Sequence, residues 1–140
     1  MVGYSGTPLP QKLGIKPGLT LVIINAPINY RRLLGPIPEG VTFSHRLKPN
    51  SSFVHVFIKK RGELEKRLSN LREKIADTGI VWVSWLKKSS GVPSDVTEDV
   101  IRAVALPLGF VDVKVCAIDE TWSGLKLMVR RTSRKVPARD

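Results

Sequence analysis

Continuous runs of apolar residues, rich in valine and isoleucine, recur along the chain and stop at turns that contain proline, glycine or several polar residues. Such runs are typical of strands that are covered on both faces, as in parallel sheets. They predict three buried strands, one short and weak strand, and a closing pair of strands. In that order the predicted strands are 19–25, 53–58 and 80–86, then 41–45, then 111–118 and 125–131.

The segment 62–76 has apolar residues at helical spacing. Four of them recur at i, i+4, i+7 and i+11 and so share one face of a helix: Leu64, Leu68, Leu71 and Ile75. We therefore predict a helix over 62–76 that packs this face against the sheet. We expect Gly79 to end the element in a left-handed turn.

Further helices are predicted on both sides of this one. Residues 94–106 predict a helix with Asp95 as its N-cap and Glu98 three residues later, close to a capping box. Residues 9–15 predict a short helix before a Lys-Pro-Gly break, and residues 30–34 predict one or two helical turns.

Alternating strands and helices predict an α/β fold, a three-layer Rossmann-like open sheet that is mostly parallel with an antiparallel C-terminal strand. We expect residues 1–131 to form one domain and 132–140 a solvated basic tail. The link from the strand at 41–45 to Phe53 is about seven residues, whereas a parallel crossover usually needs a dozen or more. That strand is therefore either very short or antiparallel.

The charge of the chain indicates anionic partners. Its 140 residues include 23 Lys and Arg against 12 Asp and Glu, a formal net charge of +11. This excess favours phosphates, polyanions or acidic surfaces as partners, and it says nothing about the fold. The single cysteine, Cys116, excludes an internal disulfide, and we expect it to be a small buried hydrophobic residue.

The start of the chain lacks the charged and apolar pattern of a secretory signal, and no run of about 18 apolar residues would span a membrane. We therefore expect a cytoplasmic protein that does not associate with membranes. The oligomeric state cannot be derived from the sequence.

Four peptides resemble a bacterial family, the domain-of-unknown-function 3052 family. They lie at 4–9, 12–15, 87–92 and 115–124, and the resemblance spans about residues 4–131. It implies no activity, because none is attached to that family. The order of helices and strands is also similar to the layout of class I methyltransferases, in which the last strand inserts antiparallel beside its neighbour.

The methyltransferase layout raises the question of S-adenosylmethionine. Those enzymes have a glycine-rich turn after the first strand and an acidic residue that ends the second. Here the turn reads Asn25-Ala26-Pro27-Ile28-Asn29, and the second strand reads Thr42-Phe43-Ser44-His45. Without glycine the backbone does not adopt that close approach cheaply, so we expect no tight binding of this cofactor.

Polar peptides follow the predicted parallel strands, and the carboxyl ends of such strands meet at one edge, where open α/β sheets bind ligands. The lysines would hold an anion, the carboxylates a hydroxyl or a cation, and the tryptophan a planar group. The expected site residues are Asn25, Lys59, Lys87, Lys88, Ser90, Asp119, Glu120 and Trp122.

The same residues also allow a structural interpretation. Lysines beside apolar strands can simply keep the protein soluble. Trp122 can close the core, and Asp119 can pair with Lys87 or Lys88 across the rim. His55, which lies among apolar neighbours, is expected to be a hydrogen-bonded core residue rather than a ligand.

The sequence favours a non-catalytic binding domain for a small anion, because it contains no complete catalytic or metal-binding motif. The alternatives are a basic nucleic-acid-associated protein and a divergent methyltransferase. The first is disfavoured because the cations near 130–135 would lie at the opposite end from Lys87, which divides the positive charge.

Overall fold

Six strands form one open sheet in the computed structural model, which describes residues 6–135. Their order across the sheet is β2-β1-β3-β4-β6-β5. The first four run parallel, β6 is antiparallel to β4, and β5 is antiparallel to β6. The strands are β1 Thr20–Ile24, β2 Thr42–Ser44, β3 Ser51–Ile58, β4 Ile75–Leu86, β5 Phe110–Ala117 and β6 Trp122–Val129.

Four α-helices cover the two faces of the sheet and complete three layers. α1 (Leu9–Leu13) and α2 (Tyr30–Leu34) pack on one face, and α3 (Arg61–Lys74) and α4 (Glu98–Ala105) pack on the other. The predicted α/β fold, with a mostly parallel Rossmann-like sheet, is confirmed.

The predicted apolar face of α3 packs into the core. Leu64, Leu68 and Leu71 are fully buried against strands β3 and β4 and against α4. Burial of a leucine side chain is worth about 1.5–3 kcal/mol, so this face accounts for much of the attachment of α3 to the sheet.

The short link between β2 and β3 is explained by the length of β2. This strand has three residues, runs parallel, and lies on the far side of β1 from β3. Ser44 and Val54 both pair with Val22, so the end of β2 lies level with the middle of β3. The link therefore has to return only a few residues along the strand direction before β3 begins. Leu47, within this link, is partly buried and packs against the core cluster that contains the apolar residues of α3 and α4.

The end of α3 differs from the prediction. The helix stops at Lys74, and Ile75 begins β4, although its side chain is buried as expected. The expected left-handed turn at Gly79 is wrong, because Gly79 lies inside β4 without a positive φ. A Cβ there would lie 2.7 Å from Cγ1 of Ile75, so close packing, and not the turn, requires glycine.

The second long helix is shorter than predicted. α4 begins at Glu98, and its N-cap is Thr97, whose hydroxyl accepts from the amide of Val100 at 3.2 Å. The expectation that Asp95 caps α4 is wrong. Its carboxylate accepts from the amide of Arg61 at 2.8 Å, at the start of α3. Unpaired amides at a helix start attract a carboxylate, and the chain brings Asp95 to α3 before α4 begins.

The last described residues pack on α3. The guanidinium of Arg72 donates to the carbonyl of Ser133 at 2.6 Å, and Asp77 accepts from the amide of Lys135 at 3.1 Å. Residues 136–140 of the expected tail, and residues 1–5, lie outside the described part of the chain. Within residues 6–135, no helix has the length and hydropathy needed to cross a membrane.

A buried imidazole lies in the central strand β3. His55 is 0% exposed, with Nδ1 2.8 Å from the hydroxyl of Tyr30 and Nε2 2.7 Å from the hydroxyl of Ser84. Both ring nitrogens have partners, so the predicted hydrogen-bonded core histidine is confirmed. Burial lowers the pKa of His55 to about 3, and burial raises the pKa of Tyr30. The imidazole is therefore neutral at neutral pH.

This burial predicts a specific loss of stability in acid. The unfolded chain protonates His55 below a pKa of 6.5, while the folded protein resists protonation down to about 3. As the pH falls through that window, His55 should lower the free energy of unfolding by about 1.4 kcal/mol per pH unit. Urea melts at a series of pH values should show that the variant His55→Leu lacks this part of the slope.

The control is His45→Gln, because His45 is exposed and is the second of the two histidines in the chain. It should keep the part of the acid slope that His55→Leu loses. An equal slope in wild type and His55→Leu would contradict a neutral, buried His55.

Candidate functional site

The carboxyl ends of five strands meet at one edge of the sheet. β1, β2, β3 and β4 are parallel, and β5 shares their direction because it pairs antiparallel with the inverted β6. The segments after these strands therefore lie along the same rim, which is where open α/β sheets bind ligands.

One cleft of about 390 Å³ opens at this rim, between the ends of β1 and β2. The turn after β1, the start of α2 and the end of β2 form its walls. It is lined by Ile23, Asn25, Ala26, Pro27, Ile28, Tyr30, Arg31, Phe43 and His45. Its volume lies within the range of small-molecule sites, roughly 300–1,000 Å³.

The lining carries two cationic or basic groups and no carboxylate. The guanidinium of Arg31 lies over the ring of Phe43, 3.8 Å from its centroid. Nδ1 of His45 donates to the carbonyl of Ile23 at 3.3 Å, which leaves Nε2 as the second polar atom of the ring. The cleft therefore combines an apolar wall with positive charge.

The buried imidazole of His55 holds one wall of the cleft in place through its hydrogen bond to Tyr30. Tyr30 is 3% exposed, and its hydroxyl bonds to His55 in β3. Its ring also packs edge-on against Phe57, with centroids 5.6 Å apart. Because Arg31 is the next residue of α2, this anchor fixes where the guanidinium leaves the helix.

The turn after β1 is strained at its first residue. Asn25 has a φ of +58°, a left-handed conformation that asparagine tolerates better than most residues. Its side-chain amide donates to Glu63 at 3.0 Å, at the start of α3. The predicted site residue Asn25 thus lines the cleft while its side chain ties the turn to the neighbouring helix.

Four of the predicted site residues form a separate group at the ends of β4 and β6. Nζ of Lys87 donates to the carbonyl of Asp119 at 2.6 Å. The carboxylate of Asp119 accepts from the amides of Thr121 and Trp122, at 2.8 and 2.7 Å. The hydroxyl of Ser90 donates to the carbonyl of Lys87 at 2.7 Å.

Trp122, the fourth member of this group, is 6% exposed, and its ring packs edge-on against Phe57. The polar groups and the ring of this group are therefore used within the protein, which favours the structural interpretation of Lys87, Ser90, Asp119 and Trp122. Their role in ligand binding stays a prediction.

The remaining predicted residues are exposed along the rim. Lys59 follows β3, Lys88 follows β4, and Glu120 lies in the loop between β5 and β6. Lys87 lies two strands away from Asn25, which is about 10 Å across a sheet. The rim thus contains a cleft at β1 and β2 and a self-bonded loop group at β4 and β6.

Sequence reasoning missed Arg31, Phe43 and His45. Arg31 lies in a predicted helical turn without any motif, and its contact with Phe43 depends on the parallel pairing of β2, which the sequence left open. A signal did exist at His45. This residue directly follows the second strand, near the position where methyltransferases usually carry an acidic residue, and here it is basic.

Comparison with solved structures identifies the fold. A putative type 11 methyltransferase from Sulfolobus solfataricus matches with a TM-score of 0.60 at 14% identity, over 87% of this chain and 89% of its own. A ribosomal protein L11 methylase from Lactobacillus delbrueckii subsp. bulgaricus matches with a TM-score of 0.57 at 11% identity, over 87% and 75%.

A protein of the NADB-Rossmann superfamily from Streptococcus agalactiae also matches, with a TM-score of 0.53 at 9% identity, over 92% of this chain and 71% of its own. No protein-family model and no curated protein matches the chain. At these identities the similarity shows the fold alone.

The cleft residues do not fit S-adenosylmethionine, the cofactor of class I methyltransferases. That molecule carries a sulfonium and an ammonium against one carboxylate, so its net charge is positive. The cleft offers Arg31 and His45 and no lining carboxylate. Its turn contains Ala26 and Pro27 in place of glycines, and Pro27 has no amide to donate.

Within residues 6–135, no group of three or more His, Cys, Asp or Glu side chains could hold a metal ion. Cys116 is half-buried rather than fully buried, and burial raises the pKa of its thiol.

The hydrogen bond from Lys87 predicts unequal effects of two adjacent lysines. Lys87→Ala removes a charged donor from the carbonyl of Asp119 and should lower the free energy of unfolding by about 1–2 kcal/mol. Lys88→Ala removes an exposed charge and should change it by less than about 0.5 kcal/mol. Denaturant melts measure both, and equal losses would show that the Lys87 bond does not stabilise the loop.

Proposed function

We propose that this chain is a non-catalytic, Rossmann-like binding domain whose carboxyl-edge cleft takes a small anionic ligand. The observation that carries the proposal is the lining of the cleft between β1 and β2, with Arg31 and His45 but no carboxylate. The proposal includes membership of the bacterial domain-of-unknown-function 3052 family, on the peptides quoted above, and a cytoplasmic location.

The positive charge of Arg31 in the cleft favours a negatively charged ligand. A guanidinium presents several donors in a fixed plane and forms bidentate hydrogen bonds with phosphate or carboxylate. Arg31 is held over Phe43 by α2, so little side-chain freedom remains to be lost on binding.

The shape of the cleft favours a ligand with an apolar or planar part beside its anionic group. Ile28 is fully exposed at the tip of the turn, and Phe43 is half-buried at the end of β2. These two side chains provide apolar surface near the guanidinium of Arg31. Lys59 and Lys88 add positive potential along the rim without direct contact being required.

A divergent methyltransferase is the second candidate, because the fold is shared with known methyltransferases. Fold does not determine function, and the cationic lining disfavours a positively charged cofactor. The two candidates make opposite predictions about which ligand binds.

Calorimetric titration separates these candidates. Adenosine monophosphate joins a phosphate to a planar ring, so it should bind saturably, whereas adenosine and S-adenosylmethionine should not. Arg31→Gln should weaken the binding of adenosine monophosphate at least about tenfold, since a charged hydrogen bond is worth about 1.5–3 kcal/mol.

The matched control is Arg32→Gln, which removes the same charge from the next residue of α2, where the side chain is exposed and does not line the cleft. It should leave the affinity within about twofold, because surface charges act weakly at a distance in salt. Binding of S-adenosylmethionine in preference to adenosine monophosphate, or equal losses in both arginine variants, would contradict the proposal.

A further inference from the structure

A β-bulge in β5 places an acidic and a basic residue of the β5–β6 hairpin on opposite faces of the sheet. Asp112 pairs with Leu127 and Lys114 pairs with Lys126, so β5 has one extra residue, Val113, at this point. In a regular strand residues 112 and 114 would point to the same face. The bulge instead turns Lys114 to the face opposite Asp112.

The acidic residue of β5, Asp112, therefore lies on the face of the sheet that α4 covers. Asp112 accepts from Nε of Arg102 at 2.8 Å, and Arg102 also contacts Glu98 and Asp99. On this face one guanidinium therefore contacts three carboxylates.

The other face of the hairpin collects lysines. Lys114 and Lys126 lie directly opposite each other across the two strands. Lys16, in the loop after α1, lies close enough to interact with Lys126, and Lys12 donates to the carbonyl of Ala117 at 3.1 Å. We call these four residues the lysine face: Lys12, Lys16, Lys114 and Lys126.

This arrangement opposes folding in the isolated protein. Like charges directly opposite each other on a sheet are destabilising. Partial burial, and then Lys114 and Lys16, lower the pKa of Lys126. Within residues 6–135, Lys16, Lys114 and Lys126 form no ion pair with a carboxylate. A bulge that brings two lysines together at such a cost indicates an external anion.

We propose that the lysine face binds the phosphate backbone of double-stranded nucleic acid. A duplex offers a dense, regular row of single negative charges, which suits several lysines on one face of a sheet. Single strands are usually held by stacking on aromatic rings, and the large hydrophobic side chains exposed within residues 6–135 are Ile28, Val92, Val113 and Val115, none of them aromatic. This site is separate from the cleft at β1 and β2.

The test is the salt dependence of binding to a short labelled duplex of random sequence, measured by fluorescence anisotropy. Each phosphate neutralised contributes about −0.9 to the slope of log K against log salt. The double variant Lys114→Gln with Lys126→Gln should reduce the magnitude of the slope by about 2 and weaken binding about tenfold or more.

The matched control is Lys60→Gln with Lys66→Gln. It also removes two lysines, both of them exposed, from the start and the outer side of α3, which packs on the opposite face of the sheet. Its slope should equal that of the wild type. The Lys114 and Lys126 variant should melt no lower than the wild type, because it relieves repulsion.

Three results would overturn the proposal. The first is an equal change of slope in both double variants. The second is a wild-type affinity for the duplex that does not depend on salt. The third is lysine-dependent binding to phosphatidylserine vesicles or to polyglutamate at concentrations where the duplex does not bind, which would identify a membrane or an acidic protein as the partner.

Discussion

The buried imidazole of His55 is the constraint on which the site depends. A neutral histidine in the middle of a sheet must satisfy both ring nitrogens, since an unpaired polar group in the core costs about 1–3 kcal/mol. Ser84 meets one requirement from β4, and Tyr30 meets the other from α2. The second bond fixes the first residue of α2 against the sheet, and so it fixes Arg31 and the turn that begins at Asn25. Core and cleft are thus joined by one side chain.

Most of the fold could be predicted from the sequence, because its signals are local. The valine- and isoleucine-rich runs predicted the central strands, and the spacing of Leu64, Leu68 and Leu71 predicted the buried face of α3. The errors arose where tertiary contacts overrode local chemistry. Gly79 reads as a turn residue but is required by close packing on Ile75, and Asp95 reads as the cap of one helix but caps another.

The candidate site was harder to predict, because a sequence specifies which strands end at the rim but not which side chains remain available there. Lys87 and Asp119 do lie close together, yet the ammonium of Lys87 donates to the backbone carbonyl of Asp119. Arg31 gains its role only when the short β2 pairs parallel with β1 and brings Phe43 beneath it. The lysine face depends on a bulge at Val113. The bulge breaks the alternation of side chains between the two faces of β5, so the sequence pattern does not predict which face Lys114 occupies. Net charge indicated anionic partners, but it could not divide the cations between two faces.

The central claim is that the cleft between β1 and β2 accepts a small anion, while Lys87, Ser90 and Asp119 are bonded within the protein. Backbone amide chemical shifts, followed by NMR during titration with adenosine monophosphate, test it most directly. The account predicts saturable shifts confined to residues 25–31 and 43–45, with no matching response to adenosine. Shifts centred on residues 87–90 and 119–122, or the same cleft response to S-adenosylmethionine, would contradict it.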